Sequence, residues 1–364
     1  MDRKFPESGV PVRFWHRIST KEKALFFEHL SNLVEGGVTV VQALHSFLEK
    51  IDNPRFMAEL SELILLVESG DPFSTAMKKL PRTFGRAEIS IVEAGEQSGT
   101  MQKSFSSIAA DLRNRDEIAM KLKTALTYPV VIMLFLMTAV LIVMTYVVPK
   151  LVPLFQTSGT ELPAATASLM AASNFFREHS VAMIVLVAIA AFGLRAWVST
   201  YSGRFAFDRF ALRAPLIGPL YRNYLIVRIS SMLGLLIGAG IPIIKTLRLT
   251  GESTGNLVFE EKIAEVASKV EMGKKFSDSL TECDPEYRIF TRDFVQIVSA
   301  GEKTSTINKV TLRLAEQYSR EVDASIATLV RFVEPAAIVF AGGFVLWFAL
   351  AIFSAVMRVT EMVG

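Results

Sequence analysis

Residues 130–148 read VVIMLFLMTAVLIVMTYVV, nineteen positions without a charge. A helix needs about 20 predominantly apolar residues to cross the hydrocarbon core of a bilayer, so this run predicts a membrane span. Tyr128 and Pro129 lead into it and Pro149 closes it. Further along, 336–357 reads AAIVFAGGFVLWFALAIFSAVM and is also uncharged. Between them, 181–198 holds about fourteen apolar residues before Arg195, Ala196, Trp197 and Val198. A buried helix of a soluble domain competes for that stretch. A span is favoured because Arg195 can snorkel to the interface and Trp197 suits the headgroup zone.

Outside these runs the chain is charge-rich. Of 364 residues, 51% are apolar and 21% charged, and the net charge of +3 makes no case for nucleic acid. The one cysteine, Cys283, excludes an intramolecular disulfide and a cysteine metal cluster, and reads as a free thiol in a reducing compartment. Residues 1–23 are polar and mixed in charge, so the spans are expected to act as their own insertion signals. Cations set the orientation. Arg113, Arg115, Lys121 and Lys123 precede the first span, Arg195, Arg204, Arg209 and Arg213 lie at or after the second, and Arg313, Arg320 and Arg331 lead into the third. The cation excess places 1–126 and 199–331 in the cytoplasm. The expected order is a lead over 1–19, a helical domain over 20–126, a span over 127–149, a periplasmic loop over 150–180, a span over 181–198, a second helical domain over 199–331, a span over 332–357 and a periplasmic tail over 358–364. Parity agrees, because without the middle span the two domains would lie on opposite sides.

The two cytoplasmic segments resemble each other. Leu33-Val34-Glu35-Gly36-Gly37-Val38 matches Leu236-Ile237-Gly238-Ala239-Gly240-Ile241, which Pro242 follows, at a shift of 203. Val67-Glu68-Ser69-Gly70 with Phe73-Ser74 matches Val270-Glu271-Met272-Gly273 with Phe276-Ser277 at the same shift. Ala94-Gly95-Glu96 matches Ala300-Gly301-Glu302, and Pro129 matches Pro335, both at 206. Collinear matches at a near-constant shift predict a duplicated unit, a helical domain feeding a membrane helix. Capping boxes at Ser19-x-x-Glu22 and Thr39-x-x-Gln42, and Asn53-Pro54, mark helix starts. The glycines fall between helical runs, where a positive φ is needed.

Chemistry is sparse. His16, His29, His45 and His179 lack metal-ligand spacing. Gly301-Glu302-Lys303-Thr304 lacks the frame and the preceding strand of a phosphate loop. Glu93 and Glu96 read as a solvated helix end in preference to a cation site. Glu334 precedes Pro335 at the third span, and a capping role at a helix N-terminus is expected. The glycines of Gly234-x-x-x-Gly238 are expected to permit close helix contact. No catalytic, cofactor-binding or metal-binding residue is predicted, and a transporter path or a membrane-anchored enzyme finds no polar span or convergent site.

These features resemble the inner-membrane platform proteins of type IV pilus and type II secretion machines, the PilC/GspF family. The likeness runs from about Thr20 to the end. It is carried by the stretch from Leu33, the turn Ala94-Gly95-Glu96-x-Ser98-Gly99, Tyr128-Pro129, Gly238-Ala239-Gly240-Ile241-Pro242, Ala300-Gly301-Glu302 and Glu334-Pro335. The resemblance implies an all-α membrane protein, with two homologous cytoplasmic six-helix bundles and three transmembrane helices. It implies a non-catalytic homo-oligomer seated over a hexameric cytoplasmic ATPase, passing motion to pilin or pseudopilin subunits beside other inner-membrane assembly proteins. Departures are the short lead, which suits a type IVb-like pilus, Glu28-His29-Leu30 in the first helix, and Thr304-Ser305 where the first turn has Ser98-Gly99. The alternatives are the equivalent platform of a type II secretion system and, more remotely, a transporter subunit.

Overall fold

The computed structural model describes residues 17–150, 164–215 and 217–363. The lead up to residue 16, with His16, and most of the first half of the expected periplasmic loop lie outside the described residues, as do the side chains of the expected tail. Every described element is a helix. In chain order these are α1 Thr20–Glu35, α2 Val40–Leu48, α3 Pro54–Glu68, α4 Phe73–Lys78, α5 Arg86–Ser98 and α6 Met101–Ile142. Then come α7 Ala164–Ser199, α8 Tyr201–Arg213, α9 Ile217–Gly238, α10 Ile243–Thr254, α11 Leu257–Glu271, α12 Phe276–Cys283, α13 Arg292–Lys303 and α14 Ile307–Val363. A π-helical turn, Val143–Val147, continues α6, and the helix reaches Lys150.

The chain forms two compact units, one of 1–120 with 211–322 and the other of 121–210 with 323–364. The first unit holds two halves of one connectivity. α1 to α5 with the start of α6 make one, and α9 to α13 with the start of α14 make the other. Consecutive helices pack on each other in both, and α5 also packs on α9 and α10.

Local chemistry explains the repeated boundaries. Asn53 Oδ1 accepts from the Arg55 and Phe56 amides at 3.1 and 3.4 Å, capping α3. Asn256 Oδ1, 203 positions later, accepts from Val258 and Phe259 at 3.0 and 3.1 Å, capping α11. Both take up amides that a helix start leaves without partners. Gly37 and Gly240 close α1 and α9 with φ of 82° and 84°, in the left-handed region open to glycine. The Val38 and Ile241 amides then each donate 3.0 Å back to the carbonyls of Leu33 and Leu236.

The cores differ. The first half packs Phe26, Phe27, Phe47, Phe56, Phe73, Phe84 and Phe105, with ring centroids 5.0–6.1 Å apart in its edge and tilted pairs. Where the shift of 203 would repeat Phe26, Phe27 and Phe47, the second half has Ile229, Ser230 and Thr250, all buried. Lys23 donates 2.7 Å to Glu88 across the first core's rim, and the equivalent positions hold buried Ile226 and Phe294. Gly234 lets α9 approach α14 closely, since a Cβ there would lie 2.6 Å from Leu312 Cγ. Of the two glycines in the Gly-x-x-x-Gly spacing, Gly234 thus permits close contact within the domain, whereas a Cβ on Gly238 would meet only Asn308 Nδ2, at 4.0 Å.

In the second unit, Met144, Val148, Leu169 and Ala351 are buried together. Thr166 Oγ1 donates 2.6 Å to the Ala351 carbonyl, and Ser173 Oγ donates 2.5 Å to the Met144 carbonyl inside the π-helical turn. Lys121 pairs with Asp323 at 2.8 Å. The outward faces are apolar: Phe135, Leu134, Val339 and Phe353 are among the most exposed side chains. Among the described residues, two helices are long and apolar enough to cross a membrane, Met101–Lys150 and Ile307–Ser354. A third reaches that standard only if Val185–Ser199 and Tyr201–Arg213, bent by 103°, are taken as one. Residues 164–180, read from sequence as part of a loop, are helical; the run AATASLMAAS is rich in the strongest helix former.

The expected role of Glu334 is corrected. Glu334 is not at a helix N-terminus: Glu334 and Pro335 lie in the interior of α14, as Pro129 lies in that of α6. Proline removes one backbone bond, but the helix on either side keeps its own, and apolar surroundings favour continued internal pairing. Amides around Glu334 belong to the helix, so its carboxylate caps nothing.

Candidate functional site

Two short turns in the first unit carry matching polar geometry. In the first half, Glu96 on α5 receives the Phe73 amide at 2.7 Å, the Ser74 amide at 3.1 Å and the Ser74 hydroxyl at 2.6 Å. In the second, Glu302 on α13 receives the Phe276 amide at 2.7 Å, the Ser277 amide at 3.0 Å and the Ser277 hydroxyl at 2.7 Å. Each glutamate thus caps the next-door short helix, α4 or α12, through space, so Glu96 is not the solvated helix end that was expected. Neither short helix has a capping side chain of its own, since Pro72 and Lys275 precede them. Burial pushes the Glu302 carboxyl up, but the bonds from Ser277 and Phe276 and the Lys275 charge hold it below the usual range.

The glycine before each glutamate lies inside a helix, α5 or α13, and not between helical runs at positive φ as expected; it is there for closeness. A Cβ on Gly95 would lie 2.1 Å from Ser104 Oγ, and one on Gly301 would lie 2.3 Å from Val310 Cγ2. Helices α5 and α13 therefore lie almost in contact with the starts of α6 and α14. The chain then turns back: Thr100 N donates 2.7 Å to the Gly95 carbonyl and Thr306 N donates 2.8 Å to the Gly301 carbonyl. Ser98 Oγ donates 2.7 Å to the Ala94 carbonyl, and Thr304 Oγ1 donates 2.9 Å to that of Ala300. Gly99 takes φ 70°, and Ser305 takes φ 56° in the same place. The Thr304-Ser305 departure therefore leaves the turn's geometry unchanged.

Other predicted positions are placed as follows. Gly70 and Gly273 end α3 and α11 with φ of 97° and 87°. Gly36 caps α1, Gly238 ends α9 and Pro242 precedes α10. Pro129, Glu334 and Pro335 lie in α6 and α14, away from both turns in sequence and in the second unit. Glu93 pairs with Lys78 at 2.6 Å, not with Glu96. His45 lies 2.8 Å from Glu68, His29 3.2 Å from Ser46, and His179 stacks on Phe175. Burial, then Glu265, pushes the buried Cys283 thiol up. Among the described residues no three histidine, cysteine, aspartate or glutamate side chains are grouped to hold a metal ion. The arrangement can fix helices rigidly.

Sequence reasoning missed the junction between the halves. Asp111 accepts from Ser231 Oγ at 2.8 Å and pairs with Arg115 at 2.6 Å, in a buried position. Burial and the Arg115 charge lower the affinity of the nearby Arg228 guanidinium for its proton. Arg86 pairs with Glu252 at 3.1 Å. No local signal marks these pairs. Asn256 was findable, because it lies 203 positions after Asn53.

The model of the family described as type II secretion system (T2SS), protein F, matches residues 26–149 and again 229–355. The starts of the two matches lie 203 residues apart and their ends 206, the shifts of the two turns. The chain belongs to this family. Its family repeat covers both halves, each with its capping glutamate and the long helix that follows. The type IV pilus assembly protein PilC of Thermus thermophilus is 30% identical over 322 residues, 88% of this chain and 78% of that protein. PilC of Myxococcus xanthus is 28% identical over 350 residues, 95% and 82% of the two chains. The type II secretion system protein F of Aeromonas hydrophila is 26% identical over 358 residues, 98% and 91%.

Proposed function

We propose that the chain is a non-catalytic inner-membrane platform for type IV pilus assembly, coupling a cytoplasmic hexameric ATPase to pilin polymerisation. The observation that carries this is the match to PilC of Thermus thermophilus across 88% of the chain. The platform crosses the membrane three times, with α7 as the middle crossing, residues 1–126 and 199–331 in the cytoplasm and the C-terminus in the periplasm. It works as a homo-oligomer beside other inner-membrane assembly proteins. The duplicated build supports a mechanical role. In each half a capped, tightly packed turn delivers the chain into a long helix, α6 or α14, whose apolar part follows without a helix break. A second reading, the platform of a type II secretion system moving pseudopilins, is favoured by the protein F of Aeromonas hydrophila, of which the match covers 91%.

The test is biochemical. Purified full-length protein should hydrolyse no nucleotide above a detergent blank, and should co-purify with a separate assembly ATPase or change its rate. Intrinsic turnover lost in Lys303→Ala would overturn the non-catalytic reading, and absence of any effect on the ATPase would overturn the coupling.

A further inference from the structure

Helix α8 has a surface that nothing in the assembly role explains. It follows α7 after a 103° bend. The bend is built in. Thr200 caps α8 by accepting the Gly203 amide at 3.2 Å, while its hydroxyl lies 2.6 Å from the Trp197 carbonyl. A Cβ on Gly203 would fall 1.9 Å from that carbonyl oxygen, which is backbone and cannot step aside. Only glycine lets the chain turn this tightly here.

Beyond the bend, Gly203, Ala206, Phe207 and Phe210 recur at the i, i+3, i+4, i+7 spacing of one helix face. Phe207 is 43% exposed and Phe210 70%. Beside that stripe lie Arg209 and Arg213, four apart and both exposed. The helix's one acid, Asp208, is turned inward and is 6% exposed. Exposed aromatics flanked by exposed arginines, on a short helix of positive net charge, are the pattern of a helix lying in a membrane interface. Charge argues against α8 dipping into the hydrocarbon as part of a broken span, since it carries three arginines and an aspartate. The bend continues from Trp197, 50% exposed at the end of the apolar run, at the level where such rings sit.

We infer that α8 is an interfacial helix that lies in the headgroup layer of the cytoplasmic leaflet and binds anionic phospholipid through Phe207, Phe210, Arg209 and Arg213. The phenylalanines enter the acyl boundary and the arginines meet the phosphates. The inference rests on the reading of α7 as a membrane crossing.

The test uses the full chain carrying Cys283→Ser, with single cysteines at Phe207→Cys, Phe210→Cys, Val187→Cys and Ala264→Cys, each nitroxide-labelled. The protein is reconstituted into vesicles of phosphatidylethanolamine with phosphatidylglycerol, or of phosphatidylcholine alone. Accessibility to oxygen, which partitions into lipid, is compared with that to a water-soluble nickel chelate. Labels at 207 and 210 should favour oxygen, at a depth shallower than 187, while 264 favours nickel. Replacing phosphatidylglycerol, or adding Arg209→Gln with Arg213→Gln, should shift 207 and 210 toward nickel. Nickel access at 210 equal to that at 264 would place α8 in water and overturn the inference. Protection from both reagents would mean a protein covers the face, a second copy included, and would overturn it too. Depth that ignores lipid charge would overturn the anionic component. If 187 itself fails to favour oxygen, α7 does not cross, and the reading on which the inference rests is the one that fails.

Discussion

Gly95 and Gly301 occupy the same place in two halves that share little sequence, and space decides both. Adding one methyl at Gly301 drives it to 2.3 Å from Val310 Cγ2. Val310 is β-branched and sits in a helix, so it has no spare rotamer to move into. Gly301→Ala should therefore destabilise by about 1–3 kcal/mol, the usual cost of overpacking. It should read as a lower unfolding midpoint of the detergent-solubilised protein at a fixed scan rate. Adding Val310→Ala should recover much of the loss, because it removes the colliding methyl. At Gly95 the obstacle is Ser104, which can turn away only by giving up its 3.0 Å bond to the Ile91 carbonyl, so Gly95→Ala should also lower the midpoint. A wild-type midpoint for Gly301→Ala would show that the close approach is no constraint. The motif itself was legible because steric demand leaves few residue types to choose from. Ser305 was not, since it adopts a φ of 56° where glycine would be expected.

The long helices show where local rules mislead. Pro129 reads as leading into a span and Glu334-Pro335 as a helix start, because proline suits the first turn of a helix. Yet α6 runs from Met101 and α14 from Ile307 through them. What the sequence window cannot see is the surrounding medium, in which unpaired backbone is costlier than one missing bond. Spans, caps and repeats were legible because each is written in a few neighbouring residues. The Asp111–Ser231 bond joins positions 120 apart and leaves no such trace. Helix α14 holds 57 residues, about 85 Å at 1.5 Å per residue. A displacement applied near Ile307 would reach the apolar part as a rigid shift unless the helix is broken. Inserting a short Gly-Ser stretch between Arg331 and Glu334 breaks it while sparing the packed face from Leu314 to Ile326. Membrane insertion, oligomerisation and ATPase binding should stay normal, and fibre assembly should fail. Fibre yield near wild type with the flexible joint in place would rule out rigid coupling through α14.

Across the molecule, cations sort by position along the chain. Arg113, Arg115, Lys121 and Lys123 lie before the apolar part of α6, and Arg195, Arg204, Arg209 and Arg213 follow that of α7. Arg313, Arg320 and Arg331 lie before the apolar part of α14. An excess of lysine and arginine next to a span marks its cytoplasmic end. Three crossings satisfy all these groups at once, whereas two would leave the arginines after α7 on the far side. The crossing to test is α7, which has Glu178 and His179 in its course. Two labelling sites resolve it in intact cells, on a Cys283→Ser background. One is Thr157→Cys, in the segment outside the described residues. The other is Ala264→Cys, on the exposed side of α11 and clear of the buried Asn256 cap. An impermeant thiol reagent should label position 157 from outside and position 264 only after the cells are opened. Labelling of 264 alone would reverse the orientation. Labelling of both from outside would mean that α7 turns back without crossing, and the second half would then face the periplasm, out of reach of a cytoplasmic ATPase.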